Sequence, residues 1–241
     1  IMEKDEFFYK LQNQAQKIDI NLTNKQLNEF YTYMNLLIEW NKNINLTAIT
    51  EPEEIIKKHF IDSLTISKNI QKDSSIIDVG TGAGFPGIPL KIVREDINVV
   101  LLDALNKRLN FLNEVIKENK LENIETVHFR AEEIGKNKKY REKYDIATSR
   151  AVAQLNILAE YLLPLVKVGG KCICMKGSNV EEELKNSKKA ITLLGGEIEK
   201  IEEFILPDSD IKRNVIIIKK VNSTPAKYPR KPGTPAKEPI I

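Results

Sequence analysis

The chain predicts an α/β protein: a seven-stranded, mostly parallel sheet with helices on both faces, preceded by a helical N-terminal extension. Three observations predict it. From Ser75 onward, apolar runs of strand length alternate with amphipathic runs of helix length. The first apolar run (Ile76, Ile77, Val79) ends in a turn holding Gly80, Gly82, Gly84 and Gly87, and periodicity resumes at Ile88, the first half of a βαβ unit that seats a nucleotide-like ligand. The second run, Val99 to Asp103, ends in a carboxylate 19 residues beyond Gly84, the spacing at which an acidic side chain accepts both hydroxyls of a ribose.

Taken in order, residues 3–17 read as a helix with a modest apolar face. Thr23 and Gln26 read as a capping box, opening a helix that buries Leu27, Phe30, Tyr31, Met34, Leu37 and Ile38 and reaches about Asn41. The segment Trp40 to Thr47 breaks that period with amides suited to turns; its Asn45 can face a substrate. Pro52 sits in the first turn of a further helix carrying Ile55, Ile56, Phe60, Ile61 and Leu64. Residues 1–72 thus form the N-terminal extension, packed on a core of residues 73–221.

Within that core a helix is expected at about 86–94. The helix after Asp103 is amphipathic through Leu105, Leu109, Leu112 and Ile116, with Lys107 and Arg108 exposed on its first turn. Strands follow at Ile124–Phe129, ending in Arg130-Ala131-Glu132, and at Tyr144–Thr148, ending in Ser149-Arg150-Ala151. After a helix (Leu155, Leu158, Leu162) and Gly169-Gly170 comes a strand from Lys171 to Met175, closed by Lys176. A helix over Val180–Leu194 and an antiparallel strand pair (Glu197–Leu206, Asn214–Val221) complete the sheet. Residues 222–241 form a basic, proline-rich tail that does not read as regular structure.

Composition narrows the class. With 41% hydrophobic and 29% charged residues, and no run of 18 apolar residues, the sequence reads as a soluble cytoplasmic protein without a membrane segment. Cys172 and Cys174, two apart on a strand, point to one face as reduced core residues. No second pair accompanies them, and His59 and His128 are distant in sequence, so no metal site is expected. The net charge of +3 is too small to announce nucleic-acid binding, but eight Lys/Arg against three Asp/Glu lie beyond residue 206. That basic end suits a solvated tail or a phosphate-contacting arm equally.

Gly82-Ala83-Gly84-Phe85-Pro86-Gly87 satisfies the G-x-G-x-x-G pattern of dinucleotide sites. Two details argue for another ligand. Asp78 precedes the turn, and a carboxylate aimed into the pocket suits a cationic ligand. Pro86 also removes an N–H that a pyrophosphate would use. The longer D-x-G-x-G-x-G pattern resembles the S-adenosylmethionine (SAM) site of Rossmann-like methyltransferases, whose ligand carries an ammonium and a sulfonium. In such sheets ligands bind beyond the carboxyl ends of the strands. The candidates are therefore Gly80 to Phe85, Asp103, Ala131-Glu132 where backbone groups would read the adenine, Ser149-Arg150 and Lys176.

The acceptor is narrowed by elimination. The [DN]-P-P-[YFW] motif of exocyclic-amine methyltransferases is replaced here by Ser149-Arg150-Ala151-Val152. A cytosine C5 enzyme needs a positioned cysteine, and both cysteines lie inside a strand. A ring nitrogen such as guanine N7 needs only alignment with the methyl carbon, so no general base is expected.

Assembled, these residues resemble the RsmG (glucose-inhibited division protein B) family, the bacterial 16S rRNA guanine-N7 methyltransferases. The most specific stretches are Trp40-Asn41-Lys42 through Thr47, His59 to Ser63, Asp78 to Pro89, Leu102 to Arg108, Ser149-Arg150-Ala151 and Tyr228 to Lys237. The resemblance implies a Rossmann-like class I SAM-dependent methyltransferase fold, with SAM contacted by Gly80, Phe85, Ala131, Glu132 and Arg150. It implies that Asn45, Lys107, Arg108, Arg130, Lys176 and Arg213 serve the RNA or the reaction centre, with Asn45, Arg130 and Lys176 in positioning roles. The implied partner is 16S rRNA or the small ribosomal subunit and the target one guanine of the 530 loop; apart from the resemblance, a monomer is expected.

Overall fold

The computed structural model describes residues 1–241. Its seven strands are β1 (Ser75–Val79), β2 (Asn98–Asp103), β3 (Ile124–His128), β4 (Tyr144–Arg150), β5 (Val166–Lys176), β6 (Gly196–Ile205) and β7 (Lys212–Lys220). They lie in the order β3-β2-β1-β4-β5-β7-β6. All pair in parallel except β7, which runs antiparallel to both β5 and β6. The order reverses between β1 and β4, and the carboxyl ends open a crevice at such a switch point.

Alternation along β1 assigns its faces: Ile76 joins one core layer while Ile77 and Val79 join the other. Helices α1 (Lys4–Gln16) and α2 (Asn24–Asn41) pack on the first face, together with α5 (Gly87–Val93) and α6 (Asn106–Glu118). Between them runs a helical stretch made of α3 (Pro52–Ile55), a π-helical segment (Ile56–Ile61) and α4 (Asp62–Leu64). The other face is covered by α7 (Ala131–Ile134), α8 (Leu155–Leu162) and α9 (Glu181–Leu193).

The extension is stitched to the core by aromatics. Phe60 contacts Phe7, Phe30, Tyr33 and Phe85, with ring centroids 4.9–6.4 Å apart. The Thr23–Gln26 capping box is present on α2 as expected. Two elements differ from the sequence reading. Leu105 caps α6 and is exposed, so the buried stripe starts at Leu109. Strand β5 begins at Val166 and carries Gly169 and Gly170 inside it, where its pairing with β4 shifts register.

The C-terminal segment is packed on the core rather than solvated. Arg141 donates to the carbonyls of Thr224, Pro225 and Tyr228. Tyr228 is buried. Arg230 donates from its backbone N (2.8 Å), Nε (3.0 Å) and Nη2 (2.8 Å) to Glu160, whose side chain is 1% exposed. One short helix, α10 (Thr234–Lys237), follows. Charge bookkeeping along the sequence could not reveal this, because the basic residue that anchors the segment pairs with a carboxylate 70 positions away. Arg230→Ala strands that buried carboxylate and is expected to cost about 2–3 kcal/mol, discounted from the full penalty because the arginine is a quarter exposed. Urea unfolding of the variant against wild type measures it, and a difference under about 0.5 kcal/mol, the ordinary surface level, would contradict the pairing.

Candidate functional site

At the carboxyl ends of β1, β2 and β4 lies a cavity of about 480 Å³, within the size range of small-ligand sites. Its floor is the glycine turn, Gly80 to Ala83 and Phe85; Asp103, Ala104, Leu105 and Arg108 line one side. Phe129, Ala131 and Tyr161 line another, and Leu46, Thr47, His59, Arg150 and Val152 close the remainder.

The turn has the shape a ligand needs. Gly82 has φ +59° and open space where a Cβ would stand. Asp103, 3% exposed, accepts the N–H of Gly82 at Oδ2 and the N–H of Leu105 at Oδ1, both at 2.9 Å. Each oxygen has a second lone pair beyond that bond, and Oδ2 lies 3.5 Å from Arg108 Nη1. The carboxylate at the end of β2 thus clasps the turn at the end of β1 and remains able to accept a diol. This donor set and this volume fit a nucleoside carrying an amino-acid arm, so the residues present are suited to SAM.

Asp78 does not line the cavity. It shares the β1 face of Ile76, beneath α5, where its Oδ2 accepts the Thr81 hydroxyl (2.7 Å) and the Gly87 N–H (2.9 Å). Its role here is to brace the turn, and the expected direct attraction for a cationic ligand is corrected accordingly. Oδ1 has no partner. Burial raises this carboxyl to about 7, partly opposed by the Thr81 and Gly87 hydrogen bonds. A carboxyl that holds its proton more tightly folded than unfolded stabilises fully below about pH 4, and loses that contribution as pH rises through about 7. In Asp78→Asn this titration is absent. The unfolding free energy of wild type relative to the variant should therefore fall between pH 4.5 and 7.5; a pH-independent difference would refute it.

Gly84 is equally structural: a Cβ there would meet the Tyr33 hydroxyl and Leu112, so glycine admits α2 rather than a ligand. Ala131 lines the cavity, whereas the Glu132 carboxylate turns away to accept the N–H of Gly233 at 3.1 Å. Asn45, Lys107 and Arg130 are exposed and outside the lining, each adjacent in sequence to a residue that lines it. Arg108 lines the wall, 3.5 Å from Asp103.

Arg150 is braced rather than free. Its Nη1 donates to the Lys58 carbonyl (2.8 Å) and Asp62 Oδ2 (3.2 Å), its Nη2 faces His59 Nδ1 (2.9 Å), and its guanidinium lies over the Phe85 ring at 5.0 Å. His59 stacks on Phe85 at 4.4 Å. Burial and then the Arg150 charge lower the imidazole to about 3, so it is neutral. Sequence reasoning placed none of Thr47, His59, Asp62 or Tyr161 in the site. His59 sits in the π-helical segment, a geometry frequent at functional sites but not readable from residue spacing.

A second cavity, about 380 Å³, abuts the first and shares His59, Arg150 and Ala151 with it. Lys58, Asp62, Lys176 and Arg213 also line it. Arg213 Nε donates to Asp62 Oδ1 at 3.1 Å, and Lys176 Nζ lies 2.6 Å from Glu183. Lys176 and Arg213 are thus brought together, apart from Asn45 and Arg130. Both cysteines are buried in β5 and line neither cavity. Burial raises the Cys174 thiol to about 12, which removes it as a nucleophile. No helix is long and apolar enough to cross a membrane.

Comparison with known proteins agrees with this geometry. The family described as rRNA small subunit methyltransferase G (GidB) matches residues 26–214. The chain is 59% identical to the ribosomal RNA small subunit methyltransferase G of Acetivibrio thermocellus, over 94% of this chain and 93% of that one. It is 52% identical to the protein of the same name from Clostridium novyi, over the full length of both. Among solved structures, M. jannaschii TYW2 in complex with AdoMet superposes with a TM-score of 0.52 at 15% identity, covering 66% of this chain and 77% of that one, a likeness of fold. Cavity, clasped turn and sequence agree: the chain is a SAM-dependent methyltransferase belonging to the rRNA small subunit methyltransferase G family.

Proposed function

We propose that the protein methylates N7 of a guanine in the 530 loop of 16S rRNA, acting as a cytoplasmic monomer on the RNA or the small ribosomal subunit. The observation that carries this reading is the pair of abutting cavities, one closed by the Asp103 clasp and the other lined by Lys58, Lys176 and Arg213. In it, Asp103 accepts the ribose hydroxyls, Gly82 lets the ligand lie against bare backbone while Gly80 lines the cavity beside Val152, and Ala131 with Phe129 and Tyr161 encloses the adenine. Phe85 and Arg150 form the wall between donor and acceptor. The target guanine enters the second cavity, where Lys176 and Arg213 set its position. Arg108 stands at the rim, and exposed Asn45, Lys107 and Arg130 meet the flanking RNA.

SAM supplies an electrophilic methyl on a sulfonium: the in-plane N7 lone pair forms the new N–C bond as the S–C bond breaks and its electrons return to sulfur. No proton is removed in that step, which accounts for a site whose imidazole is neutral and pinned by hydrogen bonds. What the chain contributes is alignment, an effect worth about 7–11 kcal/mol when reacting atoms are held in attack geometry. Incubating the protein with tritiated SAM and small subunits from a strain lacking the modification tests the reading. The label should appear in 7-methylguanosine mapped to the 530 loop. Label in another nucleoside, in protein or in low-molecular-weight material would overturn it.

A further inference from the structure

The N-terminal extension delivers one polar group into the first cavity with its hydrogen-bonding role already fixed. Asn41 cinches the loop: its Oδ1 accepts the N–H groups of Leu46 (2.8 Å) and Thr47 (3.0 Å), and its Nδ2 donates to the Thr47 carbonyl (2.9 Å). The Thr47 hydroxyl oxygen accepts the Ile49 N–H at 3.0 Å and lies 2.8 Å from His59 Nε2.

Arg150 decides the direction of that last bond. A guanidinium can only donate, so His59 Nδ1, 2.9 Å from Nη2, must accept. The proton of the neutral ring is then on Nε2, and Nε2–H donates to Thr47. Both lone pairs of the hydroxyl oxygen are taken, and its own O–H finds no acceptor in the protein. Thr47 lines the first cavity and not the second, on the side of the donor rather than of the acceptor base. Asp103 serves the ribose and the Phe129–Ala131–Tyr161 wall the adenine. Thr47 shares the remaining wall with Phe85 and Arg150, where the amino-acid arm must lie. The oxygen acceptor on that arm is its carboxylate. Arg150 commits three of its five N–H donors to Lys58, Asp62 and His59, so it leaves room for a further donor to the arm.

We propose that the Thr47 hydroxyl, oriented by the Arg150–His59 relay, donates a hydrogen bond to the α-carboxylate of the methionyl arm of the cofactor. The assignment rests on SAM as the ligand of this cavity and adds a binding residue from outside the Rossmann-like core. Two consecutive acceptor bonds polarise the hydroxyl and strengthen it as a donor, and a charged acceptor shortens and strengthens the bond further.

Calorimetry on wild type, Thr47→Val and Thr47→Ser tests it, with S-adenosylhomocysteine and its decarboxylated analogue as probes. Thr47→Val should weaken S-adenosylhomocysteine binding about tenfold, Thr47→Ser less than threefold, and the decarboxylated analogue should bind all three proteins alike. Equal losses with both probes would mean that Thr47 only shapes the loop, and no loss with either would mean that it touches nothing; each result overturns the proposal. Failure of wild type to bind S-adenosylhomocysteine would instead overturn the cofactor assignment beneath it.

Discussion

Asp103→Ala is expected to raise the dissociation constant for SAM by about two orders of magnitude while leaving RNA affinity within twofold of wild type. The carboxylate carries two loads. Toward the ligand it offers the free lone pairs of both oxygens to the ribose diol, and a hydrogen bond to a charged group contributes about 1.5–3 kcal/mol. Toward the protein it ties the Gly82 and Leu105 N–H groups, both at 2.9 Å, so that β2 fixes the shape of the turn after β1. Alanine removes both at once, and a loss near 2.7 kcal/mol is a hundredfold in affinity. Asp103→Asn separates the loads: the amide keeps one acceptor and places a donor against an N–H, so roughly tenfold is expected. Calorimetric SAM titrations, with filter binding of an RNA carrying the 530 loop, measure the two affinities. A parallel collapse of RNA binding would mean that Asp103 acts through stability alone.

That clasp also shows where sequence is sufficient. Strand alternation, the glycine turn and the carboxylate 19 residues beyond Gly84 are local or short-range features, tied to backbone geometry that recurs wherever a βαβ unit binds a nucleoside. They specify the parallel part of the sheet and the ligand end of β2, and the length of the two terminal strands specifies the reversed one. Sequence falls short where a side chain's direction depends on the third dimension. Asp78 stands where a carboxylate facing the ligand is expected, but the period-two alternation of β1 turns it under α5 to Thr81 and Gly87. At Glu132 the adenine is expected to be read by backbone groups, an expectation that says nothing of the carboxylate, which accepts the N–H of Gly233, 101 positions away. Arg150 was foreseen as a ligand contact, and the partners that pin it, His59 and Asp62, come from a helical run about 90 positions upstream. Where they point cannot be read from helical spacing, because three contiguous turns of α, π and α helix change the angle at which each residue projects. The break at Trp40 to Thr47 was visible as a run of amides. Which of its polar residues faces the cavity was decided by Asn41, which holds the loop so that Thr47 faces inward and Asn45 outward.

Asp62→Ala is expected to be the more damaging change to the whole molecule. The side chain is 3% exposed and receives Arg150 Nη1 at 3.2 Å and Arg213 Nε at 3.1 Å. It is the counterion that lets two guanidinium groups approach one wall. Removing one partner of a buried ion pair costs about 3–5 kcal/mol. The arginines are 18% and 25% exposed, so water relieves part of it and about 2–3 kcal/mol is the expected loss. Function should fall further than stability at a temperature where the variant is still folded. With Arg150 unpinned, His59 loses its fixed tautomer, Thr47 its oriented hydroxyl and Arg213 its place in the second cavity, so methyl transfer is expected to drop about a hundredfold. A double-mutant cycle isolates the cause. Arg213→Ala alone leaves Asp62 still paired with Arg150 and should cost about 1 kcal/mol. In the Asp62→Ala background the same change relieves like-charge repulsion and should cost nothing or restore stability. Strictly additive unfolding free energies would show that Asp62 does not couple the two arginines, and that the wall between the cavities is held by packing alone.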